Sequence, residues 1–231
     1  MIRVRDDDDI RTVTLDRPDS RNALRPDDLD DLRAAVETAE TPVTYLRGAG
    51  SAFCAGADLD AVAALDDPSE FARRGQRTAS ALADADTVVV CGIDGAARGG
   101  GVEMALAADV RVATPDATFG EPGVSFGLFG AWGGTVRLPR VMRVGDALEF
   151  ALSGRVLDAE EARQAGLVSR VVDDPRTVAT EIAAGKPDAL RTIKRRMRDR
   201  RGDGTQERAE AAAFADLVAT HREEIAASRG D

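Results

Sequence analysis

The chain has 231 residues, 43% of them hydrophobic, and a formal net charge of −10. That length suits one domain, or one domain with a helical appendage, and the acidic balance argues against a phosphate backbone or an anionic membrane surface as partner. Aromatic residues make up 4%, too few for base-stacking platforms.

Asp outnumbers Glu about two to one, and nearly every cation is Arg, with Lys only at Lys186 and Lys194. Short acidic side chains and scarce lysine suggest a surface adapted to high salt, which screens self-repulsion; GC-rich codon usage would produce the same bias. The start, Met1-Ile-Arg-Val-Arg followed by four Asp, has no apolar h-region. No run of about 18 apolar residues is present, so no membrane span is expected. Cys54 and Cys91 stand in apolar segments far apart, which fits reduced core thiols and a cytoplasmic compartment.

In chain order, Ile2 to Arg5 and Ile10 to Leu15 alternate apolar and polar residues around Asp6 to Asp9, a β-hairpin pattern. A polar turn, 16–24, follows. Pro26 then opens a helix with Leu29, Leu32, Val36 and Ala39 as its buried stripe. Residues 42–47 form a strand and 48–59 a loop of small residues. Ser69 caps the next helix, which carries Phe71, Ala79 and Leu82, and Thr87 to Ile93 is a further strand.

That strand leads into Cys91-Gly-Ile-Asp-Gly-Ala-Ala-Arg-Gly-Gly-Gly-Val-Glu-Met-Ala-Leu-Ala-Ala-Asp109. Glycines 99–101 allow a sharp turn into a short helix, and free N–H groups at a helix start favour negative charge. Glu103 lies in that first turn. Two readings stand at this point: an acid satisfying a helix N-terminus, or a general acid/base beside an oxyanion hole.

Residues 109–113 read as a strand. The segment 117–135 holds too many glycines for a regular element and reads as a long site-building loop. Helices follow at Val144 to Leu152 and from the Asp158 cap through Ala165, closed by Gly166, and Leu167 to Val172 is a strand. From Pro175 onward the pattern is helical only. Asp188 caps an Arg-rich helix to Arg200, Gly202 and Gly204 break it, and Thr205 opens the last helix. The expected division is therefore a core, 1–174, and a helical oligomerisation region, 175–231.

Several chemistries lack their residues. No stretch has the glycine spacing of a dinucleotide site, there is no Gly-Lys-Ser/Thr phosphate loop, and no Gly-x-Ser-x-Gly elbow. The single histidine, His221, sits in the last helix, which leaves no histidine triad or zinc set. What remains is carboxylate plus oriented backbone N–H, a combination suited to reactions through an enolate.

Six pieces in order carry a family resemblance: Leu15-Asp-Arg-Pro-Asp-Ser-Arg-Asn-Ala-Leu24, Ala52-Phe-Cys-Ala-Gly-Ala-Asp-Leu59, the 91–109 stretch, Phe119-Gly-Glu-Pro122, Gly133-Gly-Thr-Val-Arg-Leu-Pro139 and residues 152–168. Over nearly its whole length the chain resembles the enoyl-CoA hydratase/isomerase (crotonase) superfamily. The resemblance implies an α/β spiral of ββα units followed by a helical trimerisation region. It implies an acyl-CoA thioester as substrate, with no separate cofactor and no metal, in a homotrimer or a hexamer. By position, Ala57 and Gly100 would supply the oxyanion hole. Arg21, Ala23, Ala55, Asp58, Leu59 and Asp60 would line the CoA path, and Gly123, Phe126 and Trp132 the acyl pocket.

The resemblance makes Glu103 the acid/base. Family hydratases carry a second glutamate two residues after Glu121, but this chain has Gly123 there. That leaves hydration of 2-trans-enoyl-CoA through Glu103, alone or with Glu121, as the favoured reading. Double-bond isomerisation or other crotonase chemistry is the alternative, and a non-catalytic acyl-CoA binder is the reading from another class. RNA binding, known in one branch of the family, is disfavoured by the net charge.

Overall fold

The computed structural model describes residues 1–227, so 228–231 of the expected helical region lie outside the described residues. The N-terminal hairpin forms as read, with β1 (Ile2–Asp7) antiparallel to β2 (Ile10–Leu15). From there three strands of one sheet are each followed by a strand of another and then by helix, and the last strand of each sheet comes in the reverse order with a helix between. The first sheet takes β3 (Val43–Gly48), β5 (Val88–Ile93), β7 (Val110–Ala113) and β10 (Arg170–Val171). The second takes β4 (Ala52–Cys54), β6 (Ala96–Arg98), β8 (Thr118–Gly120) and β9 (Val156–Asp158). Their orders are β1-β2-β3-β5-β7-β10 and β4-β6-β8-β9. Successive pairs β3/β4, β5/β6 and β7/β8 advance one position in both sheets at once, which is the expected ββα spiral.

The central strands pair in parallel, Val43 opposite Val88 and Val90 opposite Val110. β5 is buried at every residue, which accounts for its unbroken apolar run Val88 to Cys91. Helices α1 (Pro26–Glu37) and α3 (Pro68–Asp84) pack against each other, and Leu29, Leu32, Val36, Phe71, Ala79 and Leu82 enter the core as the periodicity predicts. Both cysteines are buried free thiols, and desolvation pushes each up to about 12.

Several expectations shift. Asp67 rather than Ser69 caps α3, accepting from the Glu70 N–H at 3.0 Å. The 48–59 loop contains β4 and leads into α2 (Leu59–Ala63), capped by Asp58. The 117–135 loop contains β8, a 3-10 turn Pro122–Phe126 and the start of α5 (Gly134–Val141). α4 (Gly100–Ala107), α6 (Val144–Ser153) and α7 (Ala159–Gln164) complete this part, α7 with the expected Asp158 cap and, in return, the Asp158 N–H donating to Glu161 Oε2 at 3.0 Å.

The chain divides into compact units Met1–Ala183 and Ala184–Asp231. The first unit includes α8 (Arg176–Ala183), which buries Val178 and Ala179 and packs on β2, β3 and β5. The second unit holds α9 (Pro187–Arg198) and α10 (Asp203–Ala227). Lys186, not Asp188, is the N-cap of α9, and Asp188 instead meets His221 Nε2 at 2.8 Å. Gly204 lies inside α10 rather than breaking the chain. Among the described residues no helix is long and apolar enough to cross a membrane.

Candidate functional site

The site grows from two chain crossings. After β4 the chain runs beside Leu24 in a parallel bridge: the Leu24 N–H donates to Gly56 O at 2.7 Å, and the Asp58 N–H donates to Leu24 O at 2.9 Å. A parallel bridge uses the residues on either side of Ala57, so the Ala57 N–H turns away from it. The second crossing is the turn from β6 into α4. Gly99 has φ 47° and is the one residue of the glycine cluster that needs a left-handed backbone. Gly100 is the first residue of α4, where an N–H has no partner within the helix.

Ala57 and Gly100 line the same cavity. A Cβ on Gly56 would lie 2.6 Å from Arg98 O and 2.9 Å from Gly100 N, so the crossings touch through a glycine. Among the described residues neither the Ala57 nor the Gly100 N–H has an acceptor. Gly100 and Gly101 are glycines for a packing reason that the sequence does not display. Side chains there would strike Trp132, 2.2 Å from its ring, and Cys54 O at 2.3 Å.

Asn22 holds the first crossing in place. Fully buried with φ 58°, it donates through Nδ2 to Ala49 O, Ala52 O and Phe53 O at 2.8–3.2 Å, and its Oδ1 accepts from the Arg17 N–H. Asp58, expected on the CoA path, has a local task as well. It accepts from Arg17 at 2.5 Å and from the Ala61 N–H at 3.2 Å, pinning the start of α2.

Glu103 does not cap its own helix. Its Oε1 accepts from the backbone N–H groups of Trp132 at 2.8 Å and Gly134 at 2.6 Å, both on the segment leading into α5. Cβ atoms on Gly130 and Gly134 would sit 2.9 and 3.0 Å from its carboxyl group, so these glycines make room for the acid. Trp132 fixes the donors. It is 3% exposed, wedged against Gly75 and Gly100, and meets Phe71 edge-on with ring centroids 5.5 Å apart.

Glu121 is 5% exposed, and among the described residues its Oε1 has no hydrogen-bond partner. Desolvation, then the nearby Glu103 carboxyl, push its pKa up to about 9. Burial likewise raises Glu103, to about 7, against the opposing pull of the Gly134 and Trp132 N–H groups. Glu121 therefore holds its proton at neutral pH, while Glu103 is poised between its two forms.

One cavity of about 350 Å³ gathers Ala55, Ala57, Leu59, Gly100, Glu103, Glu121, Gly123, Phe126 and Trp132. Arg21, Ala23, Asp58 and Asp60 are not among its lining residues. Ala23 is buried behind the loop, and Arg21 lies on the exposed turn whose carbonyl accepts from the Ala55 N–H at 2.8 Å. Arg98 is a further cation beside the loop, absent from the residues expected at the site. Half-buried, it donates among the described residues only to the neutral acceptors Ala97 O, Thr118 O and Thr118 Oγ1. Desolvation, then Arg21, lower its pKa. An arginine directly before a glycine-rich turn was the available signal.

Interlocked ββα units thus bring two N–H groups, unpartnered among the described residues, and two buried carboxyls around one cavity of an α/β fold. The enoyl-CoA hydratase/isomerase family model matches residues 5–227, and the chain belongs to that crotonase family. It is 38% identical over 193 residues to a Mycobacterium tuberculosis protein named probable enoyl-CoA hydratase, covering 81% of this chain and 75% of that one. It is 30% identical over 198 residues to the short-chain-enoyl-CoA hydratase of Clostridium acetobutylicum, covering 80% and 76%. The crystal structure of enoyl-CoA hydratase from Thermoplasma volcanium superposes with a TM-score of 0.89 at 32% identity, over 100% of this chain and 97% of that one.

Proposed function

We propose that the protein hydrates 2-trans-enoyl-CoA thioesters, with the thioester oxygen held by the Ala57 and Gly100 N–H groups. The observation that carries this reading is the pair of buried carboxyls lining one cavity with separated proton affinities, Glu103 at about 7 and Glu121 at about 9. Ionised Glu103 takes a proton from water as its oxygen bonds to C3. The electron pair of the double bond moves toward the thioester oxygen, where the two N–H groups stabilise the enolate. Glu121, protonated, gives its proton to C2, and exchange between the two carboxyls resets the pair. Glu121 thus supplies the acid that Gly123 lacks. Arg21 and Arg98 flank the Ala55–Ala57 loop as two cations and suit the phosphates of the CoA arm. The homotrimer or hexamer belongs to the same proposal.

The test is mass-spectrometric product analysis with crotonyl-CoA and with a 3-enoyl-CoA. Hydration yields 3-hydroxybutyryl-CoA from the first. Conversion only of the second to its 2-enoyl isomer assigns isomerisation instead, because a single shuttling acid suffices for that. Binding of both without turnover assigns a non-catalytic binder.

A further inference from the structure

A second cavity adjoins the first. About 360 Å³ in volume, it lies between α5 and α6 and is walled by Leu138, Val144, Ala147, Leu148, Ala151 and Leu152. Among the described residues its one titratable lining group is Glu121. Glu121, Leu128, Phe129 and Gly130 border both cavities. This volume falls within the range of about 300–1,000 Å³ usual for small-molecule sites.

The lining groups give the pair of cavities a direction. Ala57, Gly100, Glu103 and Glu121 all line the first cavity, and of the four Glu121 alone also lines the apolar second one. On the hydration reading the thioester carbon sits at the first pair and C3 beside the second, so the carbons from C4 onward leave the reacting centre past Glu121. Gly123, which lines the first cavity, packs under the segment that borders both. A Cβ there would press on Leu128 O and Phe129 Cα at 3.0–3.2 Å, so glycine lets the Leu128–Gly130 backbone lie close as the shared wall. The uncharged form of Glu121 presents no full charge to an apolar chain passing it. At the rim, Phe129 and Leu152 are 72% and 69% exposed, apolar surface that a bound chain would cover.

We propose that the cavity between α5 and α6 receives the distal acyl chain, making medium- and long-chain enoyl-CoA thioesters, of roughly eight carbons or more, the preferred substrates. The assignment rests on the hydration reading for the direction of the chain. The first cavity also has an apolar branch, Leu59, Val62, Leu65, Phe71 and Ala72, which is the competing route.

The experiment compares 2-decenoyl-CoA with crotonyl-CoA in the wild type, Ala151→Trp and Ala72→Trp, together with calorimetric binding of decanoyl-CoA and butyryl-CoA. The saturated thioesters report on the cavity whether or not the enzyme hydrates, so failure of the reaction and failure of the cavity assignment separate. The wild type is expected to bind decanoyl-CoA at least about tenfold more tightly than butyryl-CoA. Ala151→Trp should cut that preference, and the decenoyl-to-crotonyl ratio of kcat/KM, by about tenfold or more. Leu148→Trp on the exposed rim gives the same readout if Ala151→Trp does not fold. A ratio that falls in Ala72→Trp and holds in Ala151→Trp overturns the proposal in favour of the first cavity. So does a wild type that prefers the short thioesters. An equal loss at both chain lengths with a changed sedimentation profile marks the second cavity as a subunit contact, which also overturns it.

Discussion

Glu103→Gln separates what Glu103 holds from what it does. The amide oxygen of Gln can accept the same two N–H bonds, from Trp132 at 2.8 Å and Gly134 at 2.6 Å. Below pH about 7 the native carboxyl is itself neutral, so the substitution leaves the site's charge unchanged there. The cost to the fold at pH 6 should be under about 1 kcal/mol, the scale of one altered hydrogen bond. The chemical cost is larger, because an amide cannot take a proton from water. Loss of a general base is worth ~10²–10⁴-fold, or about 2.7–5.4 kcal/mol of barrier. The assay is kcat/KM for enoyl-CoA hydration from pH 5.5 to 9.5, beside a thermal melt and calorimetric binding of a saturated acyl-CoA. In the wild type, kcat/KM rises through about 7 as Glu103 ionises and falls through about 9 as Glu121 loses its proton. Glu103→Gln should bind and melt like the wild type while turnover collapses. Unchanged kcat/KM, or an acid limb that persists in the variant, would refute the role of Glu103.

Three further outcomes are expected. Both carboxyls have folded pKa values above the unfolded one, so their stabilising contribution is complete below about 4.5 and is lost as pH rises through about 7 and then about 9. Each can cost up to roughly 1.4 kcal/mol per pH unit in that window; Glu121→Gln, which cannot ionise, should therefore melt above the wild type at pH 9 by more than at pH 5, and equal differences at the two pH values would refute the buried acid. Gly75→Ala would put a Cβ 2.0 Å from the Trp132 indole, and should lower stability by ~1–3 kcal/mol and reduce turnover through the displaced Trp132 N–H. Gly145→Ala on α6, with nothing within 4 Å, is the matched control that leaves the melt unchanged or raised. Finally, if the Asp-rich surface is adapted to brine, Tm should climb between about 0.1 M and about 2 M KCl, whereas a flat response identifies codon bias.

Much of the spiral was legible because its elements carry local signals. The run Val88 to Cys91 has the continuous apolar character of a strand buried on both faces, and Pro26 with its acidic first turn marks α1. Short strands such as β4 and β8 were hidden, since three residues in a glycine-rich stretch show no period. They are held by pairing with β6 rather than by propensity. The place of α8 in the first compact unit is not legible in sequence, because its apolar stripe does not reveal which partner it covers.

At the site the division is sharper. By itself the sequence determined that Glu103 stands one turn into a helix behind Gly99–Gly101, that no histidine or phosphate-loop chemistry is available, and that the position of the usual second acid is Gly123. Only the tertiary structure decided what those residues do to one another. Glu103 is held by N–H groups from a distant segment, and the glycines at 100, 101, 130 and 134 are set by close approach to Trp132, Cys54 and the Glu103 carboxyl rather than by turn geometry. Glu121 keeps its proton because the fold removes water from around it and places it near Glu103. Proton affinity depends on solvent exclusion and neighbouring charge, and both come from residues far away in the chain.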